Sequence, residues 1–217
     1  MGMETLPRLY AVADIEVLAR RGVGLRAFAL GLRSAGVALV QLRDKTGTPQ
    51  RVLESAALLQ EVFAGTDCVL LMNDRVDLAQ LAGFPGVHVG QGDLSPEDAR
   101  AVPCGPRGHR GPRIIGVSTH TAFEVCIADR GAADYLAIGP VFATGTKADA
   151  APVVGLAGVR MARSLTRKPL VAIGGINRVN CRSVVDAGAD AVAVISGLLV
   201  EGESVESVAR DFLNILR

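Results

Sequence analysis

The sequence predicts an α/β fold, a single-domain closed (β/α)8 TIM barrel over residues 1–217. Three observations predict it. Short apolar runs alternate with helical patterns from end to end, and strands alternating with helices imply parallel strands joined by right-handed crossovers. Eight such units fit this length. The competing doubly wound sheet would show a glycine-rich turn after its first strand, and Asp14-Ile15-Glu16-Val17 is no such turn.

The strands are expected at Leu9 to Ala13, Ala38 to Arg43, Cys68 to Asn73, Gly86 to Val89, Ile114 to Ser118, Tyr135 to Ile138, Leu170 to Ile173 and Ala191 to Ile195. Between them the pattern predicts helices over Leu25 to Ser34, Pro49 to Ala64, Val76 to Leu81, Pro96 to Ala101, Thr121 to Arg130, Leu156 to Thr166, Val179 to Ala187 and Val205 to Leu216. Ser95-Pro96 opens one of them, and Gly131 and Gly188 close others. The segment Pro103 to Arg113 is dense in Pro, Gly and Arg. It reads as a solvated loop on the N-terminal face, away from the chemistry, with His109 at the surface.

Composition narrows the function. Acidic and basic residues nearly balance, 22 against 23, which argues against a nucleic-acid or membrane-surface protein. No apolar run is long enough to span a bilayer, and the first residues lack the regions of a signal peptide, so the expected place is the cytoplasm. Cys68, Cys104, Cys126 and Cys181 stand singly, without metal-ligand spacing, and are expected as reduced thiols, two or three of them in the core.

Polar residues collect at the strand ends. In an extended strand Gln41, Arg43 and Lys45 share one face, and Leu42 and Asp44 share the other. Two cations and an amide in a row at the end of a buried strand call for an anionic partner. Strand three ends in Asn73-Asp74, Gln91-Gly92-Asp93 follows strand four, and Ser118 ends strand five. The long loop Gly139 to Lys147 after strand six, carrying Thr144, Gly145, Thr146 and Lys147, could cover a ligand. Gly174-Gly175 and Ile195-Ser196-Gly197 stand where barrels hold phosphate.

Each residue also has a plain structural reading. Asp74 alone reads sooner as a helix N-cap than as a metal ligand, and Asp93 equally as a turn cap. Gly174-Gly175 could be turn chemistry, Ser196 a cap, and Lys147 a solvated side chain. His88 reads as a structural hydrogen-bonding residue; His120 has the better claim to line a pocket. No spacing suggests a covalent nucleophile.

The strings Gln41-Leu42-Arg43-Asp44-Lys45, Met72-Asn73-Asp74-Arg75-Val76-Asp77, Val87-His88-Val89-Gly90-Gln91-Gly92-Asp93-Leu94, Gly116-Val117-Ser118-Thr119-His120, Gly139 to Lys147, Ala172-Ile173-Gly174-Gly175-Ile176 and Val194-Ile195-Ser196 occur in one order. In these strings the chain resembles the thiamine phosphate synthase family over nearly its whole length. The resemblance implies a transferase that joins a pyrimidine diphosphate to a thiazole phosphate with Mg2+ as cofactor. It implies small-molecule partners, no nucleic acid or membrane, and room for a homo-oligomer.

Carried over by position, the resemblance implies that Gln41, Leu42, Arg43, Asp44, Lys45, Asn73, Ser118 and Lys147 line the pyrimidine diphosphate. Arg43, Lys45, Ser118 and Lys147 would be its catalytic members, and Asp44 would orient or neutralise its basic neighbours. Thr144, Gly145, Thr146, Gly175, Ile195 and Ser196 would hold the thiazole phosphate, and Asp74 and Asp93 the metal. The arginine-rich loop is longer than the family usually has, and Ala148 to Gly155 follows the usual lid loosely. A paralogous thiazole tautomerase on the same barrel would carry a His where this chain has Pro140. A barrel that binds a phosphorylated ligand without turnover would have little need of a metal site. A phosphosugar isomerase or aldolase would want a Schiff-base Lys on a strand.

Overall fold

The structure is a computed structural model that describes residues 6–102, 112–145 and 151–217. Eight parallel strands, β1 (Leu9–Asp14), β2 (Leu39–Arg43), β3 (Val69–Asn73), β4 (Gly86–Val89), β5 (Ile114–Thr119), β6 (Tyr135–Ile138), β7 (Leu170–Ile173) and β8 (Ala191–Val194), form a closed barrel in chain order. Closure runs through β8 and β1, with Tyr10 opposite Ala193. The expected strands therefore stand within about a residue of where the apolar runs put them.

The helices are α1 (Ile15–Arg20), α2 (Leu25–Ala35), α3 (Pro49–Phe63), α4 (Val76–Ala82), α5 (Pro96–Ala101), α6 (Ala122–Arg130), α7 (Gly155–Leu165), α8 (Cys181–Asp186) and α9 (Val205–Ile215). Sequence reasoning did not anticipate α1. It is six residues long and rests on its cap, the Asp14 carboxylate accepting from the Val17 N–H at 2.9 Å. The expected start of α8 at Val179 is early by two residues. Asn177 takes the Val179 N–H on its side-chain oxygen at 2.8 Å, and this local turn displaces the first helical turn. Thr121 and Glu124 form a full capping box that starts α6. Of the arginine-rich loop only Pro112 and Arg113 are described, ahead of β5, where Arg100 donates to both carbonyls at 3.2 Å.

Two apolar clusters follow from the two-residue alternation along each strand. Leu9, Ala11, Val40, Leu42, Met72, Val87, Ile115, Leu136 and Val192 belong to the shell shared with the helices. Tyr10, Val12, Leu39, Leu71, Tyr135, Ala137, Val171 and Ala193 fill the inside. Cys68, Cys126 and Cys181 are free thiols, with Cys181 fully buried; burial pushes the Cys68 thiol up to about 12.

Inside the barrel, Gly116 lies between His88 and Tyr135 in register. A Cβ there would sit 2.0 Å from the Tyr135 ring, so the missing side chain is what admits the ring. Gly116→Ala is therefore expected to lower the unfolding free energy by about 1–3 kcal/mol through overpacking. Urea titration of the two proteins measures this, and equal midpoints would mean that the ring does not depend on the gap.

Candidate active site

The C-terminal ends of the strands open on one cavity of about 250 Å3. Gln41, Arg43 and Lys45 all line it, as their shared face requires. Leu42 does not. It is fully buried in the shell beneath the helices, because the next residue along a strand must point the other way. Asp44 does not line it either. Its carboxylate accepts from the N–H groups of Thr46 (3.2 Å) and Gly47 (2.7 Å) and so fixes the turn after β2 rather than its basic neighbours.

The partner of Arg43 is instead Asp14, directly across the β1–β2 ladder. Asp14 is 1% exposed, and its second oxygen caps α1. A carboxylate that deep needs a cation, and the pairing holds the guanidinium to the wall. Lys45 reaches across to Asp74 on the β3–α4 connection, with its ammonium on the carboxylate.

Asp74 departs from the plain reading of its sequence position. The cap of α4 is Arg75, and Asp74 sits one residue earlier with φ +58°, its carboxylate on the cavity. Burial raises its proton affinity most; the Lys45 ammonium lowers it, and the Asp93 carboxyl, within hydrogen-bonding reach, raises it again. Asp93 takes the Gly90 N–H at 2.8 Å and also lines the cavity. Among the described residues no group of three or more His, Cys, Asp or Glu side chains is placed to hold a metal. Two neighbouring carboxylates do fit a hard cation that takes its remaining oxygens from a ligand and water.

The floor of the cavity is a run of amide, hydroxyl and imidazole groups. The Gln41 amide donates to the Tyr10 hydroxyl at 2.5 Å, which meets the Tyr135 hydroxyl at 3.0 Å. That hydroxyl meets His88 Nδ1 at 2.9 Å, and His88 Nε2 meets the Ser118 hydroxyl at 2.9 Å. The structural reading of His88 is thus right, although its ring also lines the cavity. His120 lines it too and donates from Nδ1 to the Gly139 carbonyl at 2.6 Å.

The opposite wall belongs to the ends of β6, β7 and β8. Thr144, Gly175, Ile195 and Ser196 line it, as does Asn73 on the β3 side. Gly174 and Gly175 have φ of +102° and +65°, and a Cβ on either would strike the Pro140–Ala143 segment within 2.6 Å. That segment docks through the Val141 and Phe142 N–H groups on the Ile173 and Gly174 carbonyls (2.9 and 3.0 Å). Gly145 is not part of the wall. Thr146 and Lys147 lie outside the described residues. Ser196 does not cap a helix; it begins a short 3-10 turn, Ser196–Leu198, without a side-chain cap.

Sequence reasoning missed Tyr10, Asp14 and Tyr135. The signal was available for the first two. Tyr10, Val12 and Asp14 share one strand face, and Val12 and Tyr10 sit in the inner cluster that Asp14 crowns. Nothing in the local sequence around Tyr135 announces that it would reach across Gly116.

The family model for thiamine monophosphate synthase matches residues 9–198. A thiamine-phosphate synthase of Koribacter versatilis is 50% identical over 213 residues, covering 97% of this chain and 96% of its own. One of Chloroflexus aurantiacus is 40% identical over 203 residues, 94% and 89% of the two chains. The solved structure of thiamine phosphate pyrophosphorylase from Pyrococcus furiosus superposes with a TM-score of 0.82 at 31% identity, covering 96% of this chain and 95% of that one. With its barrel and nearly its full length matched in this way, the chain belongs to the thiamine monophosphate synthase family of enzymes, whose function is the formation of thiamine phosphate.

Proposed function

We propose that the chain joins 4-amino-2-methyl-5-pyrimidinylmethyl diphosphate to 4-methyl-5-(2-phosphooxyethyl)thiazole, or to its carboxylated form with loss of CO2, giving thiamine phosphate and diphosphate. The observation that carries this reading is the meeting of Arg43, Lys45, Asp74 and Asp93 on one cavity rim above a floor of amide, hydroxyl and imidazole groups. A diphosphate brings several negative oxygens, and this rim can meet them with cations while offering carboxylates to a metal.

The chemistry asks little of acids and bases. The bond between the methylene carbon and the diphosphate oxygen breaks, with its electron pair leaving on oxygen, and the electron-rich aminopyrimidine stabilises the cation left behind. The thiazole nitrogen then forms the new carbon–nitrogen bond with its lone pair. Arg43, fixed by Asp14, and Lys45 stabilise charge growing on the leaving oxygens, as Lys147 does in the family resemblance. Asp74 and Asp93 would hold one Mg2+, which when bound neutralises further charge on the diphosphate. Gln41, Asn73 and Ser118 hold the pyrimidine side, and Thr144, Gly175, Ile195 and Ser196 the thiazole phosphate. Bringing two rings together in this way removes the entropy of a bimolecular encounter.

Incubation of purified protein with both substrates and Mg2+ is expected to yield thiamine phosphate, read by chromatography. Binding of both ligands without product overturns the reading. Asp74→Asn is expected to keep the fold by circular dichroism and to lower kcat on the order of 10²–10³-fold, the loss typical of a removed charge-stabilising group, while raising the Mg2+ concentration needed for half-maximal rate. An unaltered Mg2+ dependence would remove Asp74 from the metal site. Lys45→Ala is expected to lower kcat by about 10²-fold with little change in the KM for the thiazole phosphate; near-normal turnover would take Lys45 out of the leaving-group clamp.

A further inference from the structure

The polar chain across the barrel floor joins side chains from five strands: Gln41 on β2, Tyr10 on β1, Tyr135 on β6, His88 on β4 and Ser118 on β5. Its two ends are residues that the synthase reading sets against the pyrimidine. Its middle member, Tyr135, is 1% exposed and does not line the cavity.

Proton counting gives the chain a direction. A phenol has one proton to donate. With Tyr10 accepting from the Gln41 amide, every hydroxyl proton is used within the chain when Tyr10 donates to the Tyr135 oxygen. The Tyr135 proton then goes to His88 Nδ1, which makes Nδ1 the acceptor and puts the ring proton on Nε2. Nε2–H donates to Ser118 Oγ, and the Ser118 proton is left to donate elsewhere. Gln41, its amino group committed, keeps its carbonyl oxygen for the cavity it lines. Burial holds both phenols above their ordinary range, so the chain keeps its protons at neutral pH.

The seat of Tyr135 is independently built. Its ring occupies the gap left by Gly116, lies nearly parallel to His88 with centroids 5.5 Å apart, and meets Tyr10 edge-on at 6.1 Å. These contacts hold the hydroxyl at the one point that touches both halves of the chain.

We propose that Tyr135 is a positioning residue for the pyrimidine substrate, its hydroxyl setting the polarity of the chain so that Gln41 presents an acceptor and Ser118 a donor. An aminopyrimidine offers the complement, an amine that donates and ring nitrogens that accept. The proposal rests on the synthase reading for the identity of the ligand. The polarity of the chain stands apart from it, because turning the Gln41 amide over would reverse every bond and move the His88 proton to Nδ1.

Ring 15N shifts of His88 in the full-length protein, one of three histidines, read that proton directly. The expected result is Nε2–H in the unaltered protein and a mixed tautomer in Tyr135→Phe. In steady-state assays Tyr135→Phe is expected to raise the KM for the pyrimidine diphosphate about tenfold, as for one misdirected hydrogen bond, and to leave the KM for the thiazole phosphate within about twofold. A residue that merely fills the core would lower the melting temperature without splitting the two KM values. Tyr10→Phe, which cuts the chain on the Gln41 side, is expected to raise the same KM; it carries the kinetic arm should Tyr135→Phe not fold. Nδ1–H in the unaltered protein, or KM values that move together or not at all, overturns the proposal. A protein that holds His88 as Nε2–H yet makes no thiamine phosphate overturns the ligand named here and the synthase reading together, and leaves the polarity of the chain standing.

Discussion

A residue on a strand of a closed parallel barrel has two destinations, the shell under the helices or the inside, and its neighbour must take the other. This constraint orders the whole molecule. It sends Leu9, Ala11 and Val40 outward and Tyr10, Val12 and Leu39 inward. At the C-terminal ends, where the inner face meets solvent, the same alternation brings Gln41, Arg43, Asn73, His88 and Ser118 to a single opening. The small interior residues Gly116, Ala137, Ala191 and Ala193 leave the inside narrow but not full, and two tyrosines occupy what they leave.

The two rim cations are held by different means, and the difference bears on how each can serve a charged ligand. Arg43 is 12% exposed and its partner Asp14 only 1%, so separating them would strand a buried carboxylate at about 3–5 kcal/mol. Lys45 is 45% exposed and its partner Asp74 14%, so this pair is open to solvent chiefly on the lysine side. An incoming diphosphate can therefore draw Lys45 from Asp74 where a cation takes that carboxylate over, whereas Arg43 must act from where it stands. One cation is a fixed part of the wall and the other is free to follow the ligand.

The barrel was legible because its signal is repeated eight times: apolar runs, caps and glycine stops agree along the chain. The rim was legible for the same reason, since Gln41, Arg43, Lys45, Asn73, Asp74 and Ser118 each fall at the end of a recognisable strand. What failed were places where a string of residues was taken whole. Leu42 and Asp44 lie inside the charged string but on its other face, one packing under the helices and the other closing a turn. Helix α1 was hidden by its brevity, and with it the role of Asp14, whose two oxygens serve the helix and Arg43 at once. Tyr135 was beyond sequence reach altogether. Its function depends on a glycine nineteen positions earlier that becomes its neighbour only when β5 and β6 pair.

Ion pairs and hydrogen-bonded polar groups are separated by depth in this cavity. Among the described residues the ionic pairs of the site sit at the rim, Arg43 with Asp14 and Lys45 with Asp74, and the floor below them is a run of hydroxyl, amide and imidazole groups. A substrate with a diphosphate at one end and an uncharged aromatic ring at the other has one favourable orientation in such a field, ring down and diphosphate up. A charged group on the floor would weaken that preference by competing for the diphosphate in a region where water screens little. Burial keeps the two phenols protonated and thereby keeps phenolate charge off the floor. In the proposed reaction the linking methylene carbon would then lie at the level between ring and diphosphate, in the cavity that Gly175, Ile195 and Ser196 also line.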